Sequence, residues 1–249
     1  MIVTKNLKVK YGRTTIIEGL DFSVKEGEIV SLMGGSGCGK STLLRAIMRL
    51  ISITEGEIYI EGRRTDNISE ARMNEVRKKM GMVFQEGALF DSMNVSENVA
   101  FALRRHTRMK EKEIQEIVME RLEAVGLAGS EKKMPDELSG GMQRRVGVAR
   151  ALALSPKILL YDEPTTGLDP VLTATVVELI LKMRERYGTT SVVVTHDIGA
   201  AARVSDRVAM MHRGRILEEG TMRDLEESKD EYIKHFLNAM RYETLSGRG

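Results

Sequence analysis

The chain has few of the features that mark secreted or nucleic-acid-binding proteins. Its 249 residues include one cysteine, so an intramolecular disulfide is excluded and a reducing compartment is favoured. Lysine and arginine number 38 against 36 aspartate and glutamate residues, and the formal net charge of +2 provides no strongly basic surface. We therefore expect a cytoplasmic protein without a nucleic-acid partner.

Long apolar runs and repeats are also missing from the sequence. No apolar stretch approaches the length of a membrane span, and residues 2–4 read as a strand rather than as part of a signal peptide. No internal repeat or low-complexity tract is present. The length suffices for a large core that stands without disulfides or metal. Any contact with a membrane is therefore expected to come through a partner.

The chain does contain a glycine-rich segment between an apolar strand pattern at 28–33 and a helical pattern at 42–48. We call this segment the phosphate loop, and it consists of Gly34, Gly35, Ser36, Gly37, Cys38, Gly39, Lys40, Ser41 and Thr42. Glycines allow a tight turn that brings backbone N–H groups to phosphate oxygens, and the helix N-terminus adds positive potential. The segment predicts a binding site for a nucleoside triphosphate.

Four side chains of the phosphate loop have predicted roles. Lys40 can reach the β- and γ-phosphates, and Ser41 can place its hydroxyl on the Mg²⁺ that bridges them. Thr42 is expected to help position the same turn. Cys38 is expected to be a small side chain in a loop that works through its backbone, rather than a redox sensor.

Strand and helix patterns alternate in most of the chain, which predicts an α/β fold with a largely parallel sheet. Residues 2–31 and 56–62 read as antiparallel strands and predict a small β-layer beside the nucleotide. Helical periodicity dominates residues 94–154, which we interpret as an inserted helical subdomain. The predicted single domain over 1–240 therefore has a core at 1–93 and 155–228, the helical insertion at 94–154, and a C-terminal helical extension at 229–249.

Two carboxylates follow a second apolar run, at residues 158–161. Asp162 and Glu163 are expected at the carboxyl end of a buried strand, where ligands bind in sheets of this kind. Asp162 is predicted to bind or orient hydrated Mg²⁺, and Glu163 to polarise the attacking water as general base. The phosphate loop by itself leaves kinases, GTPases, helicases and transport ATPases open.

Further motifs narrow this choice by resemblance. The run from Leu138 to Gly141 resembles the signature motif of ABC-type ATPases. Four further sites of this chain resemble elements of that family. Tyr11 is similar to the aromatic that stacks on adenine, and Gln85 to the glutamine loop. Gly167 to Asp169 resembles most of the D-loop, and His196 resembles the switch histidine. The motifs recur in the family's order, and the resemblance extends from Tyr11 to Gly220.

The resemblance implies a P-loop NTPase core of the RecA-like type that binds ATP and Mg²⁺. It further implies a head-to-tail homodimer, in which Ser139 and the amides of Gly140 and Gly141 close over the γ-phosphate held by the other copy. The family often has glutamine after the two signature glycines, whereas this chain has Met142.

The same resemblance assigns roles to three residues outside the phosphate loop. His196 would bond to the γ-phosphate and keep Glu163 and the attacking water in register. Gln85 would contact Mg²⁺ and move with the helical subdomain. Asp169 would belong to the nucleotide site through the D-loop.

Residues 82–101 resemble the ATPase subunits of bacterial Mla-type lipid transporters, which work with MCE proteins. The likeness implies integral-membrane permease subunits, an MCE-type lipid-binding protein, and a peripheral position on the inner membrane face. Several apolar side chains of this stretch either line a groove for a permease helix or close the local core. They are Phe84, Leu89, Phe90 and Met93.

Apolar residues also recur at helical spacing in residues 230–249. Similarity to ATPases of this type implies an extension that embraces the dimer mate. The alternative is an amphipathic helix that docks on its own domain.

The predicted function is the cytoplasmic ATPase subunit of an ABC transporter that moves phospholipid or a related lipid between bacterial envelope membranes. An amino-acid or metal importer shares every catalytic motif and stays open. Soluble ABC proteins that act on ribosomes or DNA generally have two ATPase domains or a long coiled coil, and neither pattern is present. Intact Glu163 and His196 disfavour a nucleotide switch that does not turn over.

Overall fold

Strands and helices alternate along the chain as the apolar patterns predict. The computed structural model describes residues 1–85 and 87–246, with side chains up to residue 240. This part of the chain forms the strands β1 (Ile2–Tyr11), β2 (Thr14–Val24), β3 (Ile29–Met33), β4 (Glu55–Ile60), β5 (Arg63–Arg64), β6 (Met80–Val83), β7 (Ile158–Asp162), β8 (Thr190–Val194), β9 (Arg207–His212) and β10 (Arg215–Gly220). It also forms the helices α1 (Lys40–Ile47), α2 (Glu70–Arg77), α3 (Val95–His106), α4 (Glu111–Ala124), α5 (Gly140–Ala151), α6 (Pro170–Tyr187), α7 (Ile198–Val204), α8 (Met222–Glu226) and α9 (Glu231–Ser246).

The chain divides into two compact units. Residues 1–74, together with the chain from residue 190 onward, make up the first unit, and residues 75–189 make up the second. The predicted helical subdomain at 94–154 falls within the second unit. Its boundaries, and those of the predicted core and extension, stay predictions.

The first unit contains an antiparallel layer and a group of parallel strands. The antiparallel layer has the strand order β2-β1-β4-β5. In the other group, β3 runs parallel to β8 and to β9, and β10 joins β9 as a hairpin. Every residue of β3 is buried, as in strands that are covered on both faces. Because β3 and β8 are parallel, the segments that follow them leave from the same edge.

Charged groups hold the opposite end of β3. Arg207 donates from Nε to Oε1 of Glu28 at 2.9 Å, and the Asp206 carboxylate accepts from the Ile29 N–H at 2.8 Å. Burial raises the pKa of Glu28, but hydrogen bonds from Arg207 and from the Lys25 backbone outweigh it and hold that pKa below its ordinary value. The pair is therefore ionised at neutral pH, and it ties the start of β3 to the start of β9.

The last helix, α9, docks on the first unit. Its residues Ile233, Phe236 and Leu237 have the i, i+3, i+4 spacing of one helix face. They share a buried cluster with Met33, Ala201, Val208, Met210 and Leu225. Docking on its own chain, one of the two predicted arrangements, is therefore observed. Residues 247–249 of the predicted extension lie outside the described residues.

The second unit combines a pair of parallel strands with helices. β6 runs parallel to β7, and α3, α4 and α5 contact one another. A capping box opens α3, since Asn94 accepts from the Glu97 N–H at 2.9 Å and Glu97 accepts from the Asn94 N–H at 2.8 Å. Within the described residues, 1–85 and 87–246, no helix is both long and apolar enough to cross a membrane.

Replacing Ile233 with alanine is expected to lower the free energy of unfolding by about 2–5 kcal/mol, because a fully buried side chain leaves a cavity against Met33 and Met210. Denaturant unfolding followed by circular dichroism measures the change. The neighbouring exposed Lys234→Ala serves as control and should stay within about 0.5 kcal/mol of the wild type. Equal stability of the two variants would contradict the docking of α9.

Candidate nucleotide site

The phosphate loop joins β3 to α1, and its backbone requires glycine at defined positions. Gly34, Gly37 and Gly39 have φ values of 145°, 74° and 111°, which L-residues rarely adopt. A Cβ atom at Gly34 would lie 2.1 Å from the carbonyl oxygen of Met211, and one at Gly39 would lie 2.8 Å from the Cε atom of the same residue. The turn therefore depends on the absence of side chains.

Lys40 closes the phosphate loop from within. Its side chain is buried, and Nζ donates to the carbonyl oxygens of Gly34 at 2.7 Å and Gly35 at 3.1 Å. Ser41 and Thr42 follow in the first turn of α1, which contains no acidic residue. A helix N-terminus, an ammonium group and two hydroxyls thus meet without a competing carboxylate from that turn, which suits an anion.

His196 lies at the edge from which the phosphate loop starts. It follows β8, whose Val194 is paired with Leu32 of β3. The Thr195 N–H donates to the Leu32 carbonyl at 3.2 Å, and Thr195 is buried whereas His196 is exposed. Asp197 then caps α7 by accepting from its backbone. The parallel register of β3 and β8 therefore brings two predicted site elements to one edge.

Tyr11 and Cys38, further predicted site residues of the first unit, differ in exposure. Tyr11 ends β1 with 47% of its surface exposed, as a stacking platform requires. Cys38 is buried, and its backbone carbonyl accepts from the Gly214 N–H at 3.0 Å. This contact is made by the backbone, and the backbone role of Cys38 in phosphate binding stays a prediction.

In the second unit, Asp162 and Glu163 lie at the carboxyl end of β7. Glu163 has a φ value of 52°, a left-handed conformation that is uncommon for a residue with a side chain. Its Oε2 accepts a hydrogen bond from the Thr166 hydroxyl at 3.0 Å. The backbone conformation and this hydroxyl together orient the carboxylate.

Gln85 leaves the sheet at the same edge as Asp162 and Glu163, because β6 and β7 run parallel. The exposed Gln85 is held through its backbone, since its carbonyl oxygen accepts from Nε of Arg144. Nη2 of the same arginine donates to the carbonyl oxygen of Thr166. Arg144 therefore joins Phe84 and Gln85, which we call the glutamine segment, to the turn after Glu163. The sequence gives no sign of this role, because no motif marks an arginine that bonds to backbone carbonyls.

The predicted signature residues form the N-terminus of α5. Ser139 is the cap and its Oγ accepts from the Met142 N–H at 3.3 Å. Ser139 and Gly140 are exposed, whereas a Cβ at Gly141 would lie 3.2 Å from the Leu172 side chain. The end of α5 is therefore accessible at Ser139 and Gly140 and closely packed one residue later.

Asp169, the last predicted site residue, caps α6. Its Oδ1 accepts from the N–H groups of Val171 at 2.8 Å and Leu172 at 2.9 Å. The helix ends before Gly188, which has a left-handed φ of 63°. Both ends of α6 therefore have residue types that are typical of helix termini.

Each unit thus presents predicted site residues at the carboxyl edge of parallel strands. The phosphate loop follows a buried strand, opens a helix, requires glycine and encloses a lysine ammonium. These features together define a P-loop nucleotide-binding protein.

The chain belongs to the ABC transporter family, whose model matches residues 17–166. The intermembrane phospholipid transport system ATP-binding protein MlaF of Haemophilus influenzae is 42% identical, over 95% of this chain and 90% of its own length. The probable ribonucleotide transport ATP-binding protein mkl of Mycobacterium leprae is also 42% identical, over 96% of this chain and 69% of its own length.

Among solved structures, a dimeric post-hydrolysis state of the ATP-binding cassette MJ0796, bound to ADP and Pi, aligns with a TM-score of 0.82. It is 36% identical and covers 89% of this chain and 99% of its own. The predicted family and the predicted α/β P-loop fold class are confirmed.

Gly34→Ala is expected to weaken binding of a nucleoside triphosphate at least about tenfold, because the added methyl group and the Met211 carbonyl cannot share the same space. Titration with a fluorescent triphosphate measures the affinity. Gly199→Ala is the matched control, since the atom nearest to its added Cβ is a carboxylate oxygen of Asp197, at 3.3 Å, and no backbone atom is close. Wild-type affinity of Gly34→Ala would show that the turn tolerates a side chain.

Proposed function

We propose that this chain is the ATP-hydrolysing subunit of an ABC transporter that moves phospholipid or a related lipid between bacterial envelope membranes. The chain is an ABC-type ATPase. The proposal of a lipid cargo depends chiefly on its 42% identity, over nearly the full length of both chains, to a relative named for intermembrane phospholipid transport. The Gly-Ala-Leu-Phe run at residues 87–90 supports the same cargo by resemblance.

The residues of the phosphate loop fit the triphosphate of ATP. Lys40 would donate to phosphate oxygens, and the N-terminus of α1 would add its amides and positive potential. Tyr11, nearly half exposed at the end of β1, would stack on the adenine ring.

Mg²⁺ is the proposed cofactor, and Ser41, Asp162 and Gln85 would hold it. No cluster of three or more His, Cys, Asp or Glu side chains suited to a metal occurs in the part of the chain that the structure describes. A site with one carboxylate, one hydroxyl and one amide oxygen suits Mg²⁺, which keeps several waters and arrives with its triphosphate. When bound, Mg²⁺ neutralises charge on the phosphate oxygens.

Glu163 is the proposed general base. Its carboxylate would accept a proton from the water that attacks the γ-phosphate, and the Thr166 hydroxyl, 3.0 Å from Oε2, keeps that carboxylate oriented. His196 would donate a hydrogen bond to the γ-phosphate and stabilise the charge that develops there.

A second copy of the chain would complete each site in a head-to-tail homodimer. Ser139 and Gly140 are exposed at the N-terminus of α5, so they can meet the γ-phosphate held by the other copy, together with the amide of Gly141. Asp169 would contribute at the same interface through the D-loop. The related cassette was solved as a dimer with ADP and Pi, which supports this assembly.

An apolar groove in the second unit is the proposed docking site of a permease helix. It has a volume of about 370 Å³, and its lining includes Phe84, Ala88, Phe90 and Phe101. The rings of Phe90 and Phe101 lie 4.8 Å apart and each side chain is 41% exposed.

Arg150 strengthens the wall of this groove. It donates to the carbonyl oxygens of Ala88 at 2.7 Å and Gly87 at 3.0 Å, and its guanidinium lies 5.6 Å from the centre of the Phe90 ring. Burial lowers the pKa of Arg150, although the group stays charged at neutral pH. Docking at this groove would place the chain on the cytoplasmic face of the inner membrane, with the permease and an MCE-type lipid-binding protein as partners.

Glu163→Gln is expected to bind ATP and to hydrolyse it at least about 100-fold more slowly than the wild type, because an amide cannot accept the proton of the attacking water. Phosphate release and nucleotide binding are measured on the same preparation. Glu178→Gln, an exposed change of the same kind on α6, is the control and should keep the wild-type rate. Hydrolysis by Glu163→Gln at the wild-type rate would refute the assignment of the general base.

Purification of the native complex in mild detergent, followed by mass spectrometry, is expected to recover integral-membrane permease subunits, an MCE-type protein and bound phospholipid. Recovery of a periplasmic solute-binding protein instead would favour the amino-acid or metal importer. Absence of any integral partner would refute a role in transport.

The same purification tests the groove. Phe101→Ala should reduce the recovered permease about tenfold, whereas Leu50→Ala, which removes an exposed apolar side chain elsewhere, should not. Equal recovery in both variants would place the permease at another surface.

A further inference from the structure

Tyr232 of α9 contacts the phosphate loop directly. Its hydroxyl oxygen accepts a hydrogen bond from the Gly35 N–H at 3.1 Å. The approach is close, since a Cβ atom added at Gly35 would lie 3.1 Å from the same hydroxyl. The two residues are 197 positions apart in the sequence. The C-terminal helix therefore reaches the segment that is proposed to bind phosphates.

Other contacts fix the position of the Tyr232 hydroxyl. At the start of the helix, the Asp230 carboxylate accepts from the Tyr232 N–H at 2.8 Å. The Tyr232 ring lies against the ring of His212, with centroids 3.7 Å apart, and stacks at 6.2 Å on Phe236. The tyrosine is thus held by its backbone and by its ring, and the hydroxyl has little freedom.

The helix that carries Tyr232 packs on the strands that carry the phosphate loop. Ile233 and Phe236 share a buried cluster with Met33, which directly precedes Gly34. Met33 is paired with Met210 of β9 in parallel register, and Met210 belongs to the same cluster. A shift of α9 would therefore displace both the first residue of the loop and the hydroxyl that holds the second.

Lys40 and Tyr232 hold the same peptide segment through different groups. Lys40 donates to the carbonyl oxygen of Gly35 at 3.1 Å, whereas Tyr232 accepts from the Gly35 N–H. Gly35 has no side chain, and it precedes the exposed residues Ser36 and Gly37 at the tip of the turn. The two contacts therefore determine where the tip of the loop begins.

We propose that Tyr232 is a positioning residue for triphosphate binding, whose hydroxyl holds the Gly35 peptide so that the phosphate loop keeps its binding conformation. The C-terminal helix then supports the nucleotide site as well as extending the domain. This inference rests on the proposed binding of ATP by the phosphate loop. Tyr232 touches neither the reacting atoms nor the proposed base, so its effect should fall on affinity and not on turnover.

The test compares Tyr232→Phe with the wild type in the full-length chain. The change removes the hydroxyl and keeps the ring that lies on His212. Tyr59→Phe is the matched control, because the Tyr59 hydroxyl donates to Glu57 at 2.7 Å within the antiparallel layer. Calorimetric titration with Mg²⁺ and a non-hydrolysable ATP analogue measures Kd. Steady-state hydrolysis separates KM from kcat, and thermal unfolding reports the stability of the nucleotide-free protein.

Tyr232→Phe should raise Kd and KM about threefold to tenfold, the effect of one lost hydrogen bond, with kcat within about twofold of the wild type. Its melting temperature should stay within about 2 °C, and Tyr59→Phe should match the wild type throughout. Unchanged or tighter binding by Tyr232→Phe, an equal loss in Tyr59→Phe, or a parallel loss of thermal stability would overturn the inference. A wild-type chain that fails to bind the analogue would instead refute the proposed function, and the inference with it.

Discussion

The close approach of the phosphate loop to the end of β9 is the constraint on which the rest of the site depends. The carbonyl oxygen of Met211 occupies the place where a side chain at position 34 would lie, and Met211 also limits position 39. The approach follows from the parallel pairing of β3 with β9, which the Arg207–Glu28 pair anchors at the far end. The loop, the strand pairing and the ion pair therefore depend on one another. Glycine is the only residue type that fits at the point of closest contact, because any Cβ would overlap with the backbone there.

The parallel pairing of strands is a second feature that occurs in both units. Pairs of parallel strands deliver separate sequence segments to a common edge: β3 with β8 does so for the phosphate loop and His196, and β6 with β7 does so for Gln85 and the carboxylates. Parallel strands require long connections, so residues that are far apart in the sequence become neighbours at the edge. The polar contacts then fix details, as Thr166 does for the Glu163 carboxylate and Arg144 for the glutamine segment.

Two features outside the proposed nucleotide site also matter for the proposed function. The groove with Phe90 and Phe101, whose wall includes Arg150, is the proposed docking site of a permease helix. The helix α9 buries one face in the first unit and also reaches Gly35 through Tyr232. Both features are therefore connected to the proposed chemistry. The groove adjoins the glutamine segment, and α9 contacts the phosphate loop.

The sequence by itself determined the features that depend on local chemistry. The capping pair of Asn94 and Glu97, the two ends of α6 and the buried strands β3, β7 and β8 follow from residue type and spacing, and so does the glycine-rich turn. The strand β6 was not predicted, because its four residues are too few for a pattern. Only the tertiary structure placed Tyr232 on Gly35 and Arg144 on Gln85, because these contacts join residues 197 and 59 positions apart. Their geometry depends on how whole helices pack against strands, and the residue types at either end carry no local signal of it.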